Sequence, residues 1–208
     1  MKKLKALGFL LFALSLFIGC AEKQEISNQT ALYWHKQIMK DIQMLNFDGA
    51  DDKFTSLEIE HPNSEYIPID LLNLYKAHLE NGEYKLAEFY LEEYIKRYSN
   101  RYEKEWGEYQ IAKTKFLSLE NPYTNQKKII DTINYIDNLL KKYPNSKYNY
   151  ELNSMKEKLI DTKIIFNNRI AKLYQKLDKP KAVKVYKTEN NKKIIPPYIP
   201  WYKNLFYW

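Results

Sequence analysis

Three histidines, one cysteine and a few adjacent acids are the groups in this 208-residue chain that could carry chemistry. His35, His61 and His78 are far apart in sequence, and no two have the local spacing of a metal-binding pair. Neither a Gly-x-Ser-x-Gly elbow nor a phosphate-cradling or dinucleotide glycine loop occurs. Asp51-Asp52 and Glu92-Glu93 would point to different faces of a helix, so they read as solvated surface rather than an acid/base dyad. Each histidine falls where a tyrosine or another large residue could sit, which gives it a packing or groove role. The sequence therefore offers no catalytic residue, metal ligand or cofactor site, and argues against an enzyme.

The cysteine has a clearer use. Cys20 follows a basic start, Lys2, Lys3 and Lys5, and an apolar run from Ala6 to Ile18, with the small residue Gly19 just before it. This is the layout of a secretion signal, and the run is shorter than the ~20 residues that span a bilayer. Phe17-Ile18-Gly19-Cys20 resembles a bacterial lipobox, except that Leu16 lies one place earlier than the usual leucine. The resemblance implies cleavage before Cys20 and acylation of the new N-terminus, which would tether the mature chain to a membrane. With Ala21 next, the outer membrane is favoured over the inner one. One acyl chain binds marginally, at about 0.8 kcal/mol per buried CH₂, and several hold durably.

Loss of Lys2, Lys3 and Lys5 with no acid takes the net charge from +7 to +4. So mild a bias lacks the concentrated basic patch of a nucleic-acid binder, so no nucleic acid is expected as a partner. An acylated Cys20 leaves no thiol for disulfides or a metal site. Five glycines, eight prolines and abundant Leu, Lys and Glu favour helices.

Repetition shows how those helices are arranged. His61-Pro62-Asn63-Ser64-Glu65-Tyr66 returns as Tyr143-Pro144-Asn145-Ser146-Lys147-Tyr148, with Tyr98-Ser99-Asn100-Arg101-Tyr102 a degraded copy between them. Pro or Ser stops one helix, Asn or Ser caps the next, and the tyrosine can fold back as an apolar contact. Between these corners lie helix pairs. Leu71, Leu74, Tyr75 and His78 share one face, Asn81-Gly82-Glu83 turns, and Tyr84, Ala87, Leu91 and Tyr94 share the next face. Gly82, Tyr84 and Ala87 form the turn core of a tetratricopeptide repeat. Trp34, Phe47, Ala50, Phe54 and Pro62 mark a preceding repeat, although Gln37 and Asp41 stand where apolar residues are usual. A third repeat begins with Trp106, Tyr109 and Lys113, widens at the polar loop 120–126, and returns through Ile129, Ile133, Ile136, Leu139 and Leu140. From Tyr148, the spacing of Leu152, Met155, Leu159, Phe166, Ile170, Leu173 and Leu177 predicts one long helix, followed past Pro180 by a short one with Ala182, Val183 and Tyr186.

The fold expected is all-α, a tetratricopeptide-repeat superhelical solenoid of antiparallel helix pairs. Its parts are a signal (1–19), a lipidated linker (20–29), a repeat domain (30–187) and an extended Pro/aromatic C-terminal tail (188–208). The tail, from Ile194 to Trp208, has three prolines and six aromatic residues. It either caps the last helices or docks on another protein. Tyr33, Trp34, Tyr75 and His78, on first helices of repeats, are candidates to line a substrate groove, and inter-repeat core is the alternative.

The order of these parts, a lipobox, helix pairs, Leu139-Leu140-Lys141-Lys142-Tyr143-Pro144-Asn145-Ser146-Lys147-Tyr148, then a long helix with Arg169-Ile170-Ala171-Lys172-Leu173-Tyr174, resembles the BamD family, tetratricopeptide lipoproteins of the outer-membrane barrel assembly machine. The resemblance covers about Thr30 to Tyr186. It implies a scaffold of about five repeats that binds the POTRA region of a BamA-type barrel protein and helps deliver unfolded outer-membrane protein precursors. Arg169, Lys172, Lys184, Tyr186 and Lys187 are the positions it assigns to that contact. Tyr186 stands where the family tends to carry arginine, so an ion pair to the partner is expected to be lost or shifted to Lys184 or Lys187, and a full fifth repeat is expected to be absent, replaced by the Pro/aromatic tail. The competing non-enzymatic reading is a tetratricopeptide lipoprotein for another envelope assembly, a pilus-secretin pilotin or a peptidoglycan-associated factor.

Overall fold

The computed structural model describes residues 28–119 and 126–188. The signal with Cys20, loop residues 120–125 and the aromatic tail lie outside the described residues. Within them the chain is all-helical: α1 (Ala31–Gln43), α2 (Phe47–Glu60), α3 (Tyr66–Glu80), α4 (Tyr84–Arg97), α5 (Arg101–Leu117), α6 (Gln126–Lys142), α7 (Asn149–Lys176) and α8 (Pro180–Thr188).

The corner phrases do the capping their residues predict. Ser64 Oγ accepts from the Tyr66 amide at 3.2 Å, and Ser146 Oγ from the Tyr148 amide at 3.1 Å. In the degraded copy Asn100 Oδ1 accepts from the Tyr102 and Glu103 amides while Glu103 accepts from the Asn100 amide, a complete capping box. The tyrosines fold back in the two full copies only. Tyr66 stacks on His35 with ring centroids 4.7 Å apart and Tyr148 on Tyr109 at 4.3 Å, whereas Tyr102 is 84% exposed.

The turns from α1 to α2, α3 to α4 and α7 to α8 share one geometry that the sequence reveals at a single place. Gly82 is left-handed (φ 81°), and the next amide, Glu83, reaches back to the His78 carbonyl at 2.8 Å. Leu45 (φ 58°) and Asp178 (φ 54°) take the same role, with Asn46 bonded to the Asp41 carbonyl at 2.9 Å and Lys179 to that of Tyr174 at 3.0 Å. This is the six-to-one bond of a Schellman stop. A left-handed leucine costs about 1–2 kcal/mol, so residue preference alone would not have placed it. The third occurrence turns α7 into α8, the short helix expected past Pro180, as α1 turns into α2 and α3 into α4.

First helices adjoin across repeats, α1 against α3 and α5 against α7, and Tyr75 Oη donates to Gln110 at 3.3 Å between α3 and α5. They form one layer, lined by the partner helices on its other side. The first apolar cluster runs from Trp34, Ile38, Ala50 and Phe54 through Leu71, Leu74, Ala87 and Leu91 to Ile111. The second joins Ala112, Ile129, Ile136 and Leu139 to Leu152, Met155 and Leu159 of α7, and Tyr135 packs against both clusters.

Two expectations about faces are corrected. Lys113 is exposed, and α5 instead turns Gly107, Ile111 and Thr114 inward; a Cβ at Gly107 would lie 2.6 Å from Ile95 Cγ1, so α5 closes on α4 through a glycine. Beyond Leu159 the buried seam of α7 passes to Ile164, Asn167 and Ala171, leaving Leu173 56% and Leu177 54% exposed. Asn167 is tolerated inside because its Oδ1 accepts from Gln126 Nε2 at 2.7 Å.

Ala87 has no exposed surface. Ala87→Leu should lower the unfolding free energy by about 1–3 kcal/mol through overpacking, read by denaturant melts; an unchanged midpoint would break the repeat frame.

Candidate functional site

Burial overturns most of the expected groove. Trp34 and Tyr75 are 5% and 6% exposed and His78 is 1% exposed, so they are inter-repeat core and offer no ring to a ligand. Tyr33 is half-buried, packed against the first cluster and edge-on to Trp34 at 5.4 Å. The reason is what they face: Trp34 Nε1 donates to Glu60 of α2 at 2.7 Å, His78 lies against Asp51 of α2 and Tyr90 of α4, and Tyr75 reaches Gln110 of α5.

What replaces them is a ladder of polar and aromatic pairs across the hairpins, at constant register. Asp41 and Lys53, 12 residues apart, form an ion pair in the first hairpin, which is why an acid is tolerated where an apolar residue is usual. The same separation brings His78 and Tyr90 into a stack at 5.3 Å, and Tyr174 and Tyr186 into one at 5.8 Å. Tyr186, half-buried, is thus engaged within its own hairpin.

The middle rung is the most elaborate. His78 Nδ1 lies 2.6 Å from Glu83 Oε2 and Nε2 lies 2.9 Å from Asp51 Oδ1, while Tyr90 Oη donates to the same Asp51 oxygen at 2.7 Å. Burial alone would depress the imidazolium, yet the two carboxylates outweigh it and raise its pKa. Burial and the Asp51 hydrogen bond push the Tyr90 phenol up, so it stays a donor. The expectation that Asp51 is merely solvated surface is therefore corrected: it joins α2 to α3 and α4. These groups are saturated by one another, which makes them a structural clasp rather than a reactive site. Among the described residues no group of three or more His, Cys, Asp or Glu could hold a metal ion.

Two surfaces remain. On the first-helix layer, Leu32 of α1 is 43% and Ile69 of α3 47% exposed, and His35 of α1 has its Nδ1 2.7 Å from the fully buried Asp70. At the other end, Arg169, Lys172, Lys184 and Lys187 are exposed.

The chain's similarity to known proteins bears on both surfaces. Residues 27–187 match the family described as YfiO, outer membrane lipoprotein. The chain belongs to the YfiO family of outer membrane lipoproteins. It is also 32% identical to the outer membrane protein assembly factor BamD of Helicobacter pylori in an alignment 212 positions long that covers 96% of each chain. For a YfiO-family lipoprotein, the polarity of charge along this solenoid is informative. From residue 169 to 187 the sequence holds Arg169, Lys172, Lys176, Lys179, Lys181, Lys184 and Lys187 against the single acid Asp178. The same segment exposes Leu173, Leu177 and Val185. No helix among the described residues is long and apolar enough to cross a membrane.

Proposed function

We propose that this protein is the lipid-anchored scaffold of an outer-membrane barrel assembly machine. Acyl chains on Cys20 hold it at the periplasmic face of the outer membrane, the basic end of α7 and α8 binds the POTRA region of a BamA-type barrel protein, and the first-helix layer receives unfolded β-barrel precursors. The observation that carries this reading is the end-to-end similarity to the Helicobacter pylori assembly factor. The solenoid supports it physically: a layer of first helices with exposed Leu32 and Ile69 suits transient contact with extended apolar chains.

Purification of the lipidated protein from detergent-solubilised membranes should retrieve a BamA-type barrel protein. Retrieval of a pilus secretin or of peptidoglycan in its place would favour the competing envelope reading. Cys20→Ser should leave an unprocessed or soluble form, followed by fractionation and by labelling with a fatty-acid probe. A fully processed Cys20→Ser protein that still sediments with the outer membrane would remove the anchor from this account.

A further inference from the structure

The least expected group on the first-helix layer is Asp70. It has no exposed surface, and burial pushes its carboxyl pKa up. Oδ1 accepts from His35 Nδ1 at 2.7 Å and from Asn73 Nδ2 at 3.2 Å, while Oδ2 is buried with no hydrogen-bond partner. A carboxylate held out of water with half its acceptors unused costs free energy, so it needs a reason. Its geometry supplies one: a histidine that gives its Nδ1 proton to a carboxylate is fixed in one tautomer and keeps a lone pair on Nε2. His35 is locked in place from the other side as well, stacked on Tyr66 with an interplanar angle of 18°. Its side chain is 21% exposed, and among the described residues Nε2 has no hydrogen-bond partner.

We propose that His35, oriented by Asp70, is a main-chain recognition point for an extended peptide lying along the first-helix layer. Leu32 is three residues from His35 on α1, and Ile69 is three from Tyr66 on α3, so both exposed side chains lie on the faces that carry the stacked pair. An extended strand presents unpaired N–H groups along its edge and sends alternate side chains to one face. Nε2 accepts one such N–H while Leu32 and Ile69 receive the apolar side chains next to it. An open recess of about 550 Å³ bounded by Ala31, Pro62, Asn63 and Tyr66 adjoins the stack and gives the strand room to continue. A single acceptor recognises the backbone without reading sequence, which fits a carrier of many different precursors. The inference rests on the proposed function, since it deepens the precursor-binding role of that face.

The test uses the full mature chain and a labelled peptide of alternating valine and threonine, with and without N-methylation at single positions. His35→Phe keeps the stack on Tyr66 and removes the acceptor. It should weaken binding about tenfold, the value of one hydrogen bond, and N-methylation at one register should weaken the parent protein by the same factor while leaving His35→Phe unaffected. Asp70→Leu, which removes the acceptor that holds the Nδ1 proton, should weaken binding with the ring still stacked on Tyr66. Unchanged affinity of His35→Phe alongside a large loss for Leu32→Asp overturns the role of His35 but keeps the face. If Leu32→Asp and Ile69→Asp also bind the peptide as the parent does, the precursor-binding reading of the face fails and this inference with it.

Discussion

Replacing His78 with leucine should lower the unfolding free energy by about 3 kcal/mol, the scale expected when one partner of a buried ionic cluster is removed. The leucine fills the space but leaves Asp51 and Glu83 facing each other across it, and Tyr90 without its stacked ring. The same change should flatten the dependence of stability on pH. His78 has a folded pKa raised above its ordinary 6.5 by Asp51 and Glu83. Its contribution is therefore complete below the unfolded value and is lost as pH rises through the folded one. The groups facing it are Asp51 from α2, Glu83 from the turn and Tyr90 from α4, and Tyr90 remains protonated because its own pKa is raised. Urea melts at pH values between about 6 and 9 should show the parent protein weakening toward the alkaline end more than His78→Leu. Parallel profiles for the two proteins would mean that the clasp carries no net charge coupling.

That clasp also marks the limit of what could be read without coordinates. The repeat frame was legible because its signals are local. Gly82 at a left-handed turn, Ala50 and Ala87 at close contacts, and Ser64, Asn100 and Ser146 at helix starts each act within a few residues of their partners. Asp51, by contrast, meets His78 across 27 residues and Tyr90 across 39, and nothing in its neighbourhood distinguishes it from Asp52, which is exposed. The expected groove failed for a related reason. Periodicity identifies the faces of a helix that are large and apolar, but whether such a face meets solvent or the next repeat depends on how closely the first helices stack. Trp34 and His78 turn toward the second helices and Tyr75 toward α5, whereas Leu32 and Ile69 are aliphatic positions that composition gave no cause to separate from core. In α7 the run of leucines suggested a single straight seam. The structure instead buries Asn167 and exposes Leu173 and Leu177, because the last repeat packs through Ala171 and the Tyr174–Tyr186 stack.

The exposed end of α7 carries the other large expected effect. Lys184→Glu with Lys187→Glu should strongly weaken association with the POTRA region of a BamA-type protein, and more so at low salt than at high, since exposed charges are screened beyond about 8–10 Å at physiological ionic strength. The loss should fall mainly on the association rate, because rim charges steer encounter while buried contacts hold the complex. Removing everything after Leu140 would also abolish the association, but by a less informative route. That cut takes away Leu152, Met155 and Leu159, which cover Ala112, Ile129, Ile136 and Leu139, so the third helix pair would lose its core while the first cluster keeps its own. The charge reversals leave both clusters intact, and circular dichroism and melting should be unaltered in them. Substituting Leu173 and Leu177 with serine separates the two components of the surface: it should speed dissociation without changing the salt dependence. Should the doubly reversed protein retrieve the barrel protein as well as the parent does at low salt, the basic end of α7 and α8 is not the docking surface, and the partner must bind elsewhere on the solenoid.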